Sequence, residues 1–242
     1  MEIHPIAWFE SPFPTKFGIP RQSGLVPDLT GRIVFAPEYR QMEAVRGLEE
    51  FDYLWIIWEF SANRDAEKSL TVRPPRLGGN QRMGVFATRS PFRPNNLGLS
   101  CVRIDRIEHD AKLGPVVYVK GADLMHQTPI YDIKPYVAYA DAHAEARSGF
   151  VDQKQWEPLH VEIPDSLVVK IPAQHREALM ATLAQDPRPA FHNDPERTYG
   201  MSFLDMDVRF RVKDGVLTVV EFAGAPKVGL RLMDDDTVEE QQ

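Results

Sequence analysis

The alternation of apolar and polar residues predicts a series of short β-strands in the first part of the chain. Leu99 to Asp110 alternates in the manner of a half-buried strand. Tyr53 to Phe60 is apolar on both faces and rich in aromatic and β-branched side chains, which predicts a central strand. Further extended segments are 1–10, 31–39, 83–90, 115–124 and 129–141. Short strands with turns between them and almost no long helix indicate a closed or nearly closed β-barrel, within an N-terminal domain of residues 1–145.

The pattern changes in the second part of the chain. Residues 172–186 are amphipathic and begin with a proline, which predicts the one long helix. Residues 201–224 read as a β-hairpin with an Asp-Gly turn. We therefore expect a mainly β protein with a small α+β domain over residues 150–232, followed by an acidic, disordered tail over 233–242. In the first domain, only residues 41–51 read as a short helix.

The composition is that of an ordinary globular protein, with 43% apolar and 26% charged residues. A length of 242 residues is enough for one large or two small domains. The chain has no run of about 18 apolar residues and does not begin like a signal peptide, so we expect no membrane span and a cytoplasmic location. The one cysteine, Cys101, excludes an intramolecular disulfide and a thiolate metal cluster.

The charge is unevenly distributed along the chain. The whole protein carries −7, yet residues 73–106 hold seven arginines against one acid, so that this segment carries +6 and the rest −13. An arginine side chain presents a planar fork suited to carboxylate or phosphate, and a local basic field attracts a polyanion even to an acidic protein. The alternative is that these arginines pair with acids elsewhere in the fold.

The chain lacks the motifs of several enzyme classes, which leaves its loops as the informative part. The sequence has no G-x-G-x-x-G, no phosphate-binding P-loop, no G-x-S-x-G and no histidine pair at metal-ligating spacing, so we expect no metal. Loops at one rim of a barrel commonly carry the site. The loops that mix proline or glycine with polar groups are 17–22, 73–80, 84–100 and 123–136. The "PRQ" of loop 17–22 is equally well an ordinary turn. The residues alone therefore predict a barrel with an arginine-rich rim and do not identify a reaction.

The segment "PRLGGNQRMGVFATRSPFRPNNLGLS", together with "TPIYDIKPY", resembles the TrmO (TsaA-like) family. The segments "AVRGLEEFDYLWIIWEF" and "LAQDPRPAFHNDPERTYGM" match it as well, so the resemblance covers nearly the whole chain. It implies a non-Rossmann, β-barrel methyltransferase that uses S-adenosylmethionine to methylate N6 of N6-threonylcarbamoyladenosine at position 37 of tRNA. It also implies a homodimer with the cofactor near the subunit interface.

The chain departs from the family pattern at two places. It has "HQTP" at residues 126–129 where the family usually has D-G-T-P, and "RPNN" at 93–96 where the family often has R-P-N-P. The first change leaves no acid at position 126 and replaces a glycine, so the turn there has to suit a residue with a Cβ.

The resemblance also implies site residues. An arginine fork suits the methionine carboxylate of the cofactor, which Arg89 or Arg21 would bind, and Leu124 and Met125 would cover the adenine. The cofactor-binding residues implied in this way are Pro20, Arg21, Gln22, Ser61, Ala62, Arg89, Leu99, Asp123, Leu124, Met125 and His126. For Leu99, plain core packing is an equal alternative.

Other residues are candidates for tRNA contact or catalysis. Arg73, Arg76, Arg82 and Arg93 are the candidates for tRNA phosphate contact. Phe92 and Tyr136 are candidates either for stacking on a base or for the core. We expect Arg188, Arg197 and Tyr199 either to contact tRNA or cofactor or to hold the domains together. Asp132 is a candidate acceptor of the N6 proton, with Lys134 or Tyr136 orienting the ureido oxygen. The alternative is a structural Asp132–Lys134 ion pair.

Two competing functions stay open at this point. One is a regulatory module that binds adenosine or S-adenosylmethionine without methylating anything. The other is a hydrolase of small anions, which the loops support poorly because they hold no nucleophile and base pair.

Overall fold

Six antiparallel strands close into a barrel in the computed structural model of the protein, which describes residues 2–64, 66–74, 77, 81–153, 157–189 and 194–224. The strands of this part are β1 (Ala7–Glu10), β2 (Thr30–Phe35), β3 (Tyr53–Glu59), β4 (Thr71–Val72), β5 (Met83–Gly84), β6 (Leu97–Asp110), β7 (Gly114–Lys120) and β8 (Thr128–Pro135). Around the barrel they follow the order β1–β2–β7–β6–β3–β8, and β8 closes on β1. The short strands β4 and β5 pair with each other outside the barrel. The predicted barrel is confirmed.

Strand β3 shows how the pattern of side chains builds the barrel core. Leu54, Ile56 and Trp58 are buried, whereas Trp55 and Ile57, which alternate with them, are half-buried on the outer face. The inner side chains join those of the other five strands in one apolar cluster. The run that reads as apolar on both faces is therefore a barrel strand with a partly covered outer face.

The pairing of the strands brings three connections to one rim of the barrel. β3 ends where β6 and β8 begin, because Trp58 pairs with Gly98 and with Ile130. β1 likewise ends beside the start of β8, where Phe9 pairs with Thr128. The connections β1–β2, β3–β6 and β7–β8 consequently leave the barrel at the same rim, and they contain the proline- and glycine-rich loops singled out above.

The second part of the chain forms a sheet with a helix against it. The barrel strand β8 is followed by α1 (Ala138–Asp141), so the expected extended segment 129–141 is wrong beyond Pro135. The elements of the second part are α2 (Asp165–Val168), α3 (Arg176–Ala184), β9 (His160–Glu162), β10 (Tyr199–Phe203), β11 (Met206–Lys213) and β12 (Val216–Gly224). The sheet order is β10–β11–β12–β9, with β9 parallel to β12. Asp214 and Gly215 have φ of 49° and 79°, the left-handed pair that a tight hairpin turn needs, so the predicted turn is confirmed. The expected tail, 233–242, lies outside the described residues.

Two further expected elements are wrong. Residues 41–51 form two short 3₁₀ turns rather than a helix, because Gly47 between them has φ of 85° and breaks the helical path. Residues 83–90 leave strand geometry after Gly84 and enter a 3₁₀ turn. The Thr88 hydroxyl donates to the Val85 carbonyl at 2.8 Å and stabilises that turn.

Each part has its own apolar core, but the second core is not built from the second part alone. Phe13, Val26 and Leu29, all from the β1–β2 connection, are buried in the cluster formed by α3 and the sheet β10–β11–β12. No described helix has the length and apolar character needed to cross a membrane.

Candidate functional site

The three connections at one rim surround a cleft of about 1920 Å³. Pockets for a single small ligand usually measure about 300–1,000 Å³. The cleft therefore has room for a cofactor and for part of a second molecule. Among the residues expected to bind a cofactor, those that line it are Pro20, Arg21, Gln22, Ser61, Ala62, Arg89, Leu99, Asp123 and Met125.

Arg89 and Gln22 connect two of the loops. Nη1 of Arg89 donates to Oε1 of Gln22 at 2.6 Å, and Nε2 of Gln22 donates to the Arg21 carbonyl at 2.6 Å. Within the described part of the chain, Arg89 forms no ion pair with a carboxylate. Its guanidinium therefore keeps donors for an anionic group in the cleft.

Asp123 is a partly buried residue whose carboxyl group lies buried at the wall of the cleft. Burial raises the pKa of Asp123 to about 6, while the Ser100 hydroxyl, the positive charge of Arg89 and the Ser23 amide act in the opposite direction. The Ser100 hydroxyl donates to Oδ1 of Asp123 at 2.5 Å, and Nε1 of Trp58 donates to the Ser100 oxygen at 2.9 Å. This chain of hydrogen bonds holds the carboxyl in place from inside the barrel.

Gly98 allows that chain of hydrogen bonds to form. It pairs with Trp58 across β6 and β3, and a Cβ on residue 98 would lie 2.4 Å from the Trp58 ring. Only glycine lets the indole lie flat against β6 with its N–H directed at Ser100. The sequence motif that ends in "NLGLS" thus places a glycine where the ring needs space.

A second polar cluster lies at the end of β3 and was not predicted. The carboxylate of Glu59 accepts from Nε and Nη2 of Arg64 at 2.6 and 2.7 Å and from the Tyr131 hydroxyl at 2.7 Å. The Arg64 fork is the largest influence on Glu59 and lowers its pKa, so this carboxylate stays ionised. In the sequence, the sign of this cluster is Glu59, an acidic residue near the end of the apolar run "YLWIIWEF".

The arginines proposed for phosphate contact lie along the same cleft. Arg73, Arg82 and Arg93 line it, and none of them forms an ion pair with a carboxylate in the described ranges. Arg82 donates to the Thr71 hydroxyl at 2.8 Å, and Arg93 donates to a backbone carbonyl. Arg76 lies outside the described residues. Arg106, by contrast, pairs with two acids of its own strand.

Exposed apolar side chains face the cleft beside these arginines. Phe86 is 75% exposed, Leu99 is 53% exposed and Phe92 is 40% exposed, and all three line the cleft. Leu99 is therefore not a core residue. Phe86 was not singled out from the sequence, although it lies inside the motif "GVFATRSPF". An exposed phenylalanine next to guanidinium groups is the arrangement that stacks an unpaired base.

Five of the N-terminal candidates for cofactor binding, stacking or catalysis do not line the cleft. The Leu124 side chain is fully buried in the barrel core. His126 is half-buried, accepts from the Ser11 amide at 3.4 Å, and has a pKa lowered chiefly by burial. Asp132 and Lys134 form an exposed ion pair at 3.0 Å on the outer face of β8. Tyr136 packs edge-on to Tyr53, with ring centroids 6.1 Å apart.

The two departures from the family motif both give left-handed backbone at a residue with a Cβ. Gln127 has φ of 61° and Asn96 has φ of 52°. Asparagine tolerates this region well, whereas glutamine does so at a cost of roughly 1 kcal/mol. Its amide hydrogen, which donates to the Phe9 carbonyl at 2.7 Å, offsets part of that cost.

The second-part residues singled out above have partners in their own part of the chain, although Arg188 also lines a small pocket with Pro20 and Arg21. Arg188 forks onto Asp186 at 2.7 and 2.8 Å, and Arg197 lies over the Tyr199 ring, 5.5 Å from its centroid. Nowhere in the described ranges do three or more His, Cys, Asp or Glu side chains gather as metal ligands.

Comparison with known proteins gives the same family for both parts of the chain. Family profiles described as the tRNA-methyltransferase O N-terminal domain and the TrmO C-terminal domain match residues 8–142 and 157–224. An Escherichia coli protein named tRNA (adenine(37)-N6)-methyltransferase is 38% identical over 234 residues, which cover 93% of this chain and 98% of that one. A putative S-adenosylmethionine-dependent methyltransferase of Pseudomonas aeruginosa is 37% identical over 239 residues, covering 92% and 97%. A crystal structure of TrmO from P. aeruginosa has a TM-score of 0.75 and 35% identity, covering 93% and 97%.

Proposed function

Since the chain belongs to the TrmO family of tRNA methyltransferases, we propose that it methylates N6 of N6-threonylcarbamoyladenosine at position 37 of tRNA. It is a tRNA methyltransferase with S-adenosylmethionine as its cofactor. The observation that carries the finer proposal is that one cleft joins the Arg89–Gln22–Asp123 cluster to a row of arginines without ion pairs in the described ranges. The reaction belongs in the cytoplasm, where tRNA is modified.

The cluster fits the charges of the cofactor. S-adenosylmethionine supplies an activated methyl group on a sulfonium centre, and it also carries a carboxylate and an ammonium group. Arg89 offers a fork for the carboxylate, held in position by Gln22. Asp123 offers a negative charge to a cationic group once it has ionised. Met125 and Leu99 supply apolar cover on the cleft wall, and Pro20, Ser61 and Ala62 complete the pocket.

The arginine row fits the tRNA. Arg73, Arg82 and Arg93 bind backbone phosphates of the anticodon loop, and Arg76 belongs to the same group by sequence position. Phe86 stacks on an unpaired base beside the target. The bases of an anticodon loop are splayed, so that an exposed ring reaches their faces.

The protein mainly has to place N6 beside the methyl group, which is a proximity effect. The N6 proton still has to leave. Asp132, with Lys134 and Tyr136, is the proposed group for this step, but these residues lie outside the cleft of their own subunit. The resemblance to the family supports a homodimer, and Asp132 takes the proton only if a second copy brings this outer face of β8 to the cleft.

Methyl transfer to matched tRNA samples tests the proposal. Purified protein is incubated with methyl-labelled S-adenosylmethionine and tRNA from cells that make, or cannot make, the threonylcarbamoyl modification. Label in the first tRNA alone supports the proposed substrate. Equal label in both samples rejects that substrate, and cofactor binding without any transfer supports a regulatory module instead.

A further inference from the structure

We call the sheet β10–β11–β12–β9, together with the helix α3, the second domain. The loop that carries Pro20, Arg21 and Gln22 is held at both flanks by this second domain. We call residues 11–29, which connect β1 to β2, the strap. The strap leaves the barrel after Glu10 and presents Pro20, Arg21 and Gln22 to the cleft at its middle. On the way out it buries Phe13 in the core of the second domain, and on the way back it buries Val26 and Leu29 there.

The outgoing half of the strap contacts β10 directly. The rings of Phe13 and Phe203 meet edge to face, with centroids 5.4 Å apart. The Leu204 amide donates to the Pro12 carbonyl at 2.6 Å. Both contacts lie at the end of β10, so that one short stretch of the second domain fixes the start of the strap.

Gly18 lies close against the second domain. It has φ of 86°, and a Cβ on it would lie 2.7 Å from Sδ of Met201. The backbone at Gly18 therefore rests against the Met201 side chain two residues before Pro20. Ile19 also packs partly against the same core. Burial of this kind fixes the direction in which the loop enters the cleft.

In its returning half the strap is anchored to the barrel by backbone hydrogen bonds and by the Ser23 amide, which donates to the Asp123 carboxyl. The Gly24 amide donates to the Gly121 carbonyl, and the Gly121 amide donates to the Leu29 carbonyl, both at 2.8 Å. Gly121 lies two residues before Asp123, so that these bonds set the distance between the strap and the buried carboxyl. The barrel thus fixes where the strap returns, and the second domain fixes where its cofactor loop lies.

We propose that the second domain positions the cofactor-binding loop, with Met201 and Phe203 as positioning residues that do not line the cleft. The inference rests on the proposed role of Pro20, Arg21 and Gln22 in cofactor binding. If the loop lost this support, it would have to be ordered at the moment of binding, at a cost in conformational entropy. The cofactor would then bind more weakly although every residue that touches it is intact.

Met201→Ala tests the proposal against Val212→Ala. Both side chains are buried in the same core, but Val212 lies near the Asp214–Gly215 turn, at the far end of β11 from the strap. We expect Met201→Ala to weaken S-adenosylmethionine binding at least about tenfold, because ordering one or two residues costs that much. The KM for the cofactor should rise by the same factor while kcat at saturating cofactor stays unchanged. Phe203→Leu is a milder second variant for use if Met201→Ala fails to fold.

Hydrogen–deuterium exchange without ligand measures how well the backbone of the strap is ordered. We expect faster exchange over residues 12–29 in Met201→Ala and unchanged exchange there in Val212→Ala. If the two variants behave alike in exchange or in cofactor affinity, the positioning role is rejected. A wild type that fails to bind S-adenosylmethionine would instead reject the proposed function, because the exchange result does not depend on any ligand.

Discussion

The guanidinium of Arg89 donates to the amide oxygen of Gln22 at 2.6 Å, across 67 positions of sequence. The bond joins the middle of the strap to the loop between β3 and β6, beside the buried carboxyl of Asp123. We propose that this bond prepares Arg89 to bind the anionic group of the cofactor, whereas Arg73, Arg82 and Arg93 bind phosphates of the tRNA. The first two predictions test this separation.

Arg89→Ala should weaken S-adenosylmethionine binding by roughly 10- to 100-fold, because a hydrogen bond to a charged group contributes about 1.5–3 kcal/mol. Affinity for tRNA should change much less. Isothermal titration calorimetry with each ligand measures both effects. Arg46→Ala, which removes an exposed arginine on the opposite rim, is the control. Equal losses for the two ligands would show that Arg89 does not act on the cofactor specifically.

Arg73→Ala should leave cofactor affinity unchanged and weaken tRNA binding. Each phosphate contact contributes about 0.7 to the slope of log affinity against log salt for a single strand, so that the slope should flatten by about that amount. Fluorescence anisotropy with labelled tRNA over a range of salt concentrations measures it. A parallel salt dependence in wild type and variant would remove Arg73 from the set of phosphate contacts.

Phe86→Ala should raise the KM for tRNA by roughly 5- to 100-fold, since stacking on a base contributes about 1–3 kcal/mol. Phe86→Trp should preserve it, and the salt slope should stay that of the wild type because no charge is lost. Steady-state kinetics with varied tRNA gives the KM, and Phe51→Ala, an exposed phenylalanine before β3, is the matched control. The stacking role fails if alanine at position 86 has no more effect than alanine at position 51.

The buried carboxyl of Asp123 should make stability depend on pH. Burial raises its pKa to about 6, above the value of about 3.9 in an unfolded chain, so the folded protein binds the proton more tightly. Stability from this group is present at low pH and is lost as pH rises from about 4 to about 6. The free energy of unfolding of the wild type, minus that of Asp123→Asn, should fall by about 3 kcal/mol over this window. Urea unfolding at several pH values measures it, and two parallel curves would contradict the assignment.

The barrel was predictable because its strands alternate between a buried and a wetter face. Leu54, Ile56 and Trp58 show the period of two directly, and the Asp214–Gly215 turn has the dipeptide that its backbone requires. The loops were less predictable. The 3₁₀ turn after Gly84 depends on a hydroxyl at Thr88 that closes it, which no apolar pattern reveals.

The site itself could be predicted only in part, because much of it depends on contacts far apart in sequence. The resemblance to the family brought Arg89, Gln22 and Asp123 together on one list, but the burial of Asp123 and the support from Ser100 come from barrel packing. The insertion of Phe13 into the second core joins residues about 190 positions apart, so local pattern carries no trace of it. The resemblance also implied that Leu124 binds the cofactor, but its side chain packs inside the barrel.

Mass spectrometry of nucleosides from treated tRNA tests the central claim most directly. The protein is incubated with S-adenosylmethionine and tRNA that carries N6-threonylcarbamoyladenosine, and the tRNA is then digested. We predict that this nucleoside is converted to its N6-methyl derivative in proportion to the cofactor consumed. A methyl group found on a different nucleoside, or equally on tRNA that lacks the threonylcarbamoyl group, would contradict the account.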